Sequence, residues 1–264
     1  MDLHLKDKVV VVTGGAAGIG RAIAEEFLRE GAQVVVFGRG KEKLESFLAD
    51  MKGQGFCKAL ALQADVTKKE QISALAEEVF RTFGRIDVWV NNAGVDIKKM
   101  FLDYSQEDWD RIVGTNLDGV WNCTRIAAPY MMKQGEGVFI NISSYTSKIP
   151  HAGGAIYAAT KAAVSSMTKT LAAELAPYNI RVVGIIPGMI KTNISTENIR
   201  ENHDEYVRNI AMKRLGVPED LAKPAVFLAS DAAQYISGVE LEVAGGKYAS
   251  QNTDWPWKQR KEVP

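Results

Sequence analysis

The chain has 264 residues, 46% hydrophobic and 24% charged, a globular composition that argues against disorder, and no apolar run approaches the roughly 18 residues of a spanning helix. Lys plus Arg and Asp plus Glu both total 32, so no net field recruits nucleic acid or an anionic membrane; the expected partners are small molecules and further copies of the chain. Cys57 and Cys123 lie far apart outside any ligand spacing, which predicts two buried small hydrophobes and neither disulfide nor metal, and the acidic N-terminus without a cleavage site predicts a cytoplasmic protein.

The first predicted strand, Val9 to Thr13, runs directly into Gly14, Gly15, Gly18 and Gly20, and a helix carrying Ile19, Ile23, Phe27 and Leu28 follows. From Gly14 the spacing is G-x-x-x-G-x-G. Its physics matches the usual dinucleotide loop: a tight turn, close backbone approach and a helix N-terminus aimed at an anion. A ligand-free turn would use the same glycines. The second strand, Val34 to Phe37, ends in Gly38 and Arg39, where an NAD site offers a carboxylate to the ribose and an NADP site often offers an Arg. Arg39 therefore favours NADP, with NAD the alternative, since no second basic residue precedes Gly18.

Further strands are predicted at Ala59 to Gln63, Val88 to Asn91, Gly137 to Ile142, Val182 to Ile186 and Glu240 to Val243. Between them, Ile72, Leu75, Ala76, Val79, Phe80 and Phe83 form one apolar helical face, and Ser105 with Asp108 can make a capping box for the next helix. Strands separated by helix-length crossovers imply an α/β fold, a doubly wound Rossmann-type parallel sheet of about seven strands with helices on both faces. One domain is expected over residues 1–249, with a substrate loop at 189–214 and a tail at 250–264. Ligands of such sheets bind beyond the carboxyl ends of the strands.

Tyr157 and Lys161 stand four apart in a helical stretch, so both project from one face. A free phenol titrates near ~10; a neighbouring ammonium favours the phenolate and makes the pair a candidate general acid and base. Taken alone, a Y-x-x-x-K is weak. With the glycine loop, NNAG at 91–94, Asn116, Ser144, YAATK at 157–161 and PG at 187–188, all in order, the chain resembles the classical short-chain dehydrogenases/reductases from residue 7 to about 247.

That resemblance implies hydride transfer between a nicotinamide cofactor and a ketone or secondary alcohol. Tyr157 is then the proton donor, Ser144 orients the carbonyl oxygen, Lys161 lowers the Tyr157 pKa and binds the nicotinamide ribose, and Asn116 holds a water leading from Lys161 to solvent. Ser143 is expected to be structural. The cofactor contacts it implies are Gly14, Ala16, Gly18, Ile19, Gly20, Arg39, Asp65, Val66, Asn92, Ala93 and Gly94, then Tyr157, Lys161, Pro187, Gly188, Ile190 and Thr192. Asp65 would meet the adenine amino group, and Asn91 would lie beside the adenosine. A homotetramer is also implied, although Ala244 replaces the usual Asp of the family's final DGG.

For the substrate, Ser144, Asp96, Tyr145, His151, Tyr157 and Met189 are the expected contacts, with Val95 nearby. Buried polar groups discriminate for matching hydroxyls, which favours a sugar or polyol. A 3-oxoacyl-(acyl-carrier-protein) reductase, a hydroxysteroid dehydrogenase, an epimerase or dehydratase, and a non-catalytic nucleotide-binding regulator are the alternatives. Trp255 and Trp257 around Pro256 suit a cover over a neighbouring site or a subunit contact; a frayed tail fits equally.

Overall fold

The computed structural model describes residues 3–192, 203–247, 249 and 251–259. The strands are β1 Val9–Thr13, β2 Gln33–Gly38, β3 Ala59–Gln63, β4 Val88–Asn91, β5 Gly137–Ile142, β6 Ile180–Pro187 and β7 Glu240–Val243. All pair in parallel, in the order β3-β2-β1-β4-β5-β6-β7. Every residue of β1, β4 and β5 is buried, as strands covered on both faces require.

The alternation within β1 divides the core. Val10 and Val12 pack with Ile23 and Phe27 of α1 (Gly18–Arg29), Phe47 of α2 (Lys41–Gly53) and Leu221 of Glu219–Ala229. Val9 and Val11 face the opposite layer, where Ile72 and Val79 of α3 (Lys69–Phe83) meet Cys123 of the helix Gly119–Gln134 and Ala172 of the helix Ala155–Leu175. Successive side chains point to opposite faces of a strand, so one valine run anchors both helical layers.

Helix α4 (Gln106–Val113) opens with the expected capping box, in which Asp108 N–H donates to Ser105 Oγ and Ser105 N–H donates to the Asp108 carboxylate. It continues through a π-helical turn at Gly114–Asp118 into α5 (Gly119–Gln134), and α6 (Ala155–Leu175) follows β5. Strand order reverses between β1 and β4, which places the ligand crevice at their carboxyl ends.

Cys123 is buried, as expected, and its desolvation pushes the thiol far above its ordinary range. Cys57 corrects the expectation: it is exposed, in the loop between α2 and the edge strand β3, where no layer covers it. No helix among the described residues is long and apolar enough to cross a membrane.

Candidate active site

The crevice begins where β1 meets β4. Thr13 Oγ1 accepts the N–H groups of Asn92 at 2.8 Å and Ala93 at 2.7 Å, while Asn92 Nδ2 donates to the Thr13 carbonyl at 2.9 Å. This ties the glycine loop to the loop after β4. Gly14 turns the chain with a φ of +64°, and Gly20 lets α1 approach: an added Cβ there would collide with Asn92 Nδ2 and lie 2.6 Å from the Gly14 carbonyl oxygen.

Helix α1 starts at Gly18, with φ +54°, and its N-cap is Ala17, which has no side-chain acceptor. The first-turn N–H groups thus keep their capacity for an anion, and Thr192 lies across from them, its Cγ2 3.8 Å from the place a Gly18 Cβ would take. Ala16 and Ile19 pack partly against the core. These features suit a pyrophosphate.

At the end of β2, nothing lies within 4 Å of a Cβ added at Gly38, and Arg39 is exposed, its carbonyl accepting from Gln63 Nε2 at 2.8 Å. Asp65 is half-buried, with Oδ1 accepting the Thr67 N–H at 2.9 Å. Val66 and Ile190 bury their side chains in the two core layers, at 7% and 6% exposure, so any contact they make to a cofactor falls to their main chain. Asn91 is likewise a core residue: its Nδ2 donates to Thr124 Oγ1 at 3.2 Å and Asn141 Oδ1 at 2.9 Å. Gly188 is pressed against Ala244, whose Cα lies 2.7 Å from an added Cβ, and Pro187 ends β6 beside it.

The four expected catalytic residues come from three places: Ser144 from the turn after β5, Asn116 from the π turn, and Tyr157 and Lys161 from α6. Ser144 caps a short turn after β5, accepting the Thr146 N–H at 3.2 Å, and its hydroxyl favours the ionised form of the Tyr157 phenol. Lys161 is 5% exposed and donates from Nζ to the Ile142 carbonyl at 2.8 Å, with the ammonium 5.8 Å from the Tyr157 ring centre. Ser143 is structural, bonded to Ser165 Oγ at 2.9 Å and to the Lys161 carbonyl at 3.3 Å.

Asn116, fully buried in the π turn, accepts the Val95 N–H at 2.8 Å and donates to the Val95 carbonyl at 2.9 Å and to Thr160 Oγ1 at 3.3 Å. Its side chain clamps the chain beside Gly94, where an added Cβ would lie 3.6 Å from Lys161 Nζ.

Desolvation pushes the Tyr157 phenol up to about 12, against the Ser144 hydrogen bond and with the Asp96 carboxylate adding to the rise. Burial brings Lys161 down to about 8, with Asp96 opposing. Lys161 Nζ is directed to the Ile142 carbonyl, and desolvation is the largest influence on the Tyr157 phenol.

The substrate side is polar. Asp96 Oδ1 and both ring nitrogens of His151 are buried and have no hydrogen-bond partner among the described residues. Burial pushes Asp96 up and His151 down. Tyr104, unremarked in the sequence, shares its hydroxyl proton between the carbonyls of Ile97 at 2.7 Å and Gly153 at 2.9 Å, holding together the two loops that carry these residues. Met189 is half-buried, and its carbonyl accepts the Gly216 N–H at 2.9 Å. Two more residues carried no motif: Lys247 is buried, its ammonium 4.9 Å from the Tyr145 ring centre and 5.6 Å from that of Tyr206.

Of the expected substrate loop, residues 193–202 lie outside the described residues. Residues 203–208 are helical, and the tail folds onto this region of its own chain: Trp257 Nε1 donates to the Ala211 carbonyl at 2.9 Å, and Asp254 pairs with Arg208 at 3.0 Å and with Lys213.

A family model described as enoyl-(acyl carrier protein) reductase matches residues 14–247. The 3-oxoacyl-(acyl-carrier-protein) reductase of Thermotoga maritima is 39% identical over 92% of this chain and 99% of its own, and that of Staphylococcus epidermidis is 37% identical over the same shares. Among solved structures, a short-chain type dehydrogenase/reductase from Mycobacterium marinum superimposes with a TM-score of 0.89 at 34% identity, covering 94% of this chain and 99% of that one. The 3-ketoacyl-(acyl-carrier-protein) reductase of Brucella melitensis, complexed with NADH, gives 0.86 at 38% identity, covering 92% and 99%. With the fold, the glycine loop and the Ser144, Tyr157 and Lys161 cluster in place, the chain belongs to the short-chain dehydrogenase/reductase family and is an NAD(P)-dependent oxidoreductase acting on C=O and CH–OH groups.

Proposed function

We propose that the protein reduces the ketone of a 3-oxoacyl compound, a thioester foremost, with NADPH as cofactor. The observation that carries the chemistry is Tyr157 and buried Lys161 one turn apart on α6, the ammonium 5.8 Å from the Tyr157 ring centre, with Ser144 capping the turn after β5. The choice of substrate is supported by the relatives named 3-oxoacyl-(acyl-carrier-protein) reductase.

A bound nicotinamide cofactor supplies the hydride. Ser144 donates to the carbonyl oxygen and stabilises the negative charge that develops there. Tyr157, protonated at neutral pH, delivers its phenolic proton to that oxygen as the carbon is reduced. Lys161 keeps a positive charge beside the transient phenolate, and the proton returns through a water held at the π turn around Asn116. Because the Asn116 side chain is engaged by Val95 and Thr160, we assign that water to the main chain of the turn.

Exposed Arg39 beside the open Gly38 supports recognition of a 2'-phosphate. Replacing it, Arg39→Asp, is expected to shift the NADPH to NADH preference by about ten- to hundredfold toward NADH. A homotetramer is supported by the exposed Phe101, Leu102, Trp109 and Trp121.

A sugar or polyol is the second reading, favoured by the unpartnered atoms of Asp96 and His151. Nicotinamide absorbance with 3-oxoacyl thioesters, sugars, polyols and hydroxysteroids, with both cofactors, separates the two. Turnover of a thioester by the wild type, lost in Tyr157→Phe by a factor of about 10² to 10⁴, is the expected result. Turnover confined to polyols would overturn the thioester reading, and activity surviving in Tyr157→Phe would remove Tyr157 as the acid.

A further inference from the structure

Thr160 stands in α6 directly before Lys161 and is 3% exposed. Its hydroxyl donates to the Tyr157 carbonyl at 2.7 Å. In an α-helix that carbonyl also accepts the N–H of the residue four on, here Lys161, so the hydroxyl joins the backbone link between the two reacting side chains. A helical threonine commonly places its own proton in this way. Thr160 has a second partner, from another element: Asn116 Nδ2 donates to its Oγ1 at 3.3 Å.

With its proton committed to the Tyr157 carbonyl, Oγ1 meets Asn116 as an acceptor. Both protons of the Asn116 amide are then placed, one on Thr160 and one on the Val95 carbonyl at 2.9 Å, while Oδ1 takes the Val95 N–H at 2.8 Å. The π turn Gly114–Asp118 sets this reach by holding Asn116, fully buried, between the loop after β4 and α6. That loop passes the lysine: a Cβ added at Gly94 would lie 3.4 Å from Asn116 Oδ1 and 3.6 Å from Lys161 Nζ. One connected set of hydrogen bonds therefore runs from Val95 through Asn116 and Thr160 to the backbone of Tyr157. Thr160→Val would keep the side-chain shape and leave a buried Asn116 N–H without its acceptor.

We propose that Thr160 is a positioning residue for proton return: by tying the Asn116 amide to the Tyr157 carbonyl it holds the π turn, and the water on that turn's main chain, in register with Lys161. The inference rests on the carbonyl-reducing reading, in which each turnover moves the phenolic proton of Tyr157 to the product oxygen and one proton must come back from solvent before the next. The first carbonyl reduced needs no return, so Thr160 acts from the second turnover onward.

Thr160→Val and Thr160→Ser, each loaded with NADPH, test this with ethyl acetoacetate and the acetoacetyl-N-acetylcysteamine thioester. In Thr160→Val, steady-state kcat is expected to fall about three- to thirtyfold with a larger solvent deuterium isotope effect. A step slowed after the chemistry lowers KM along with kcat, so kcat/KM and the stopped-flow rate of the first turnover should stay within about twofold of the wild type. Thr160→Ser should restore kcat. A structural role alone would lower kcat/KM and the first turnover together with kcat; that pattern, or a kcat unchanged in both Thr160→Val and Thr160→Ala, would overturn the proposal. If Thr160→Val does not fold, the same ratios are read from Thr160→Ala. If the wild type reduces neither compound, that failure belongs to the substrate reading, and hydrogen exchange decides here: faster exchange of the Val95 amide in Thr160→Val supports the tie, and unchanged exchange overturns it.

Discussion

Lys161 concentrates the conflict between stability and chemistry in one side chain. Its folded pKa of about 8 lies below the ordinary 10.5, so between those values the unfolded chain binds a proton that the folded chain lacks. This group's contribution to stability therefore rises with pH through that window, and below about 8 its charge is a cost. Lys161→Met should raise stability at pH 7 by roughly 1 to 3 kcal/mol while removing turnover, and the gain should shrink as pH climbs from 8 toward 10.5; denaturant unfolding across that range checks it. In the reducing direction, kcat/KM should fall as pH passes about 8, because Lys161 loses its charge there whereas Tyr157, at about 12, still holds its proton. A pH profile rising through 8 would contradict these assignments.

At the scale of elements, the glycine loop and the loop after β4 form one unit, since Thr13 and Asn92 bond each other across the switch point. The glycines in it are not equivalent. Gly20 is close to Asn92 and the Gly14 carbonyl, whereas a Cβ added at Gly18 would make only ordinary contact with Thr192, leaving the positive φ as the constraint. Gly20→Ala is expected to cost about 2 kcal/mol and to weaken cofactor binding sharply, since Asn92 must move. Gly18→Ala should cost about 1 kcal/mol from backbone strain. Melting temperatures and cofactor titrations of the two variants check the ranking. The capping box at Ser105 and the apolar face from Ile72 were both legible because caps and helical faces are local patterns. The π turn that carries Asn116 had no such signature.

Across the whole molecule, the tail acts on residues 208–213 through Trp257, Thr253 and Asp254. Its described residues, 251–259, thus contact their own chain. Removing residues 251–264 should loosen that segment and raise KM for the carbonyl substrate about three- to tenfold, with cofactor affinity changed by less than about twofold. Steady-state kinetics on the shortened chain tests this, and equal losses for both ligands would point to a general loss of stability instead.

The sequence by itself determined the seven strands, their parallel pairing and the helices on both faces, because β-branched runs and helical periodicity are written in neighbouring residues. Spacing along α6 put Tyr157 and Lys161 on one face, and the family resemblance added Ser144, which follows β5. Only the tertiary structure decided that Cys57 is exposed, that Asn91 faces the core and that Lys247 comes to lie beside Tyr145. The physical reason is distance along the chain: burial and charge at these positions depend on side chains far away in sequence, and no local pattern encodes which of them will meet.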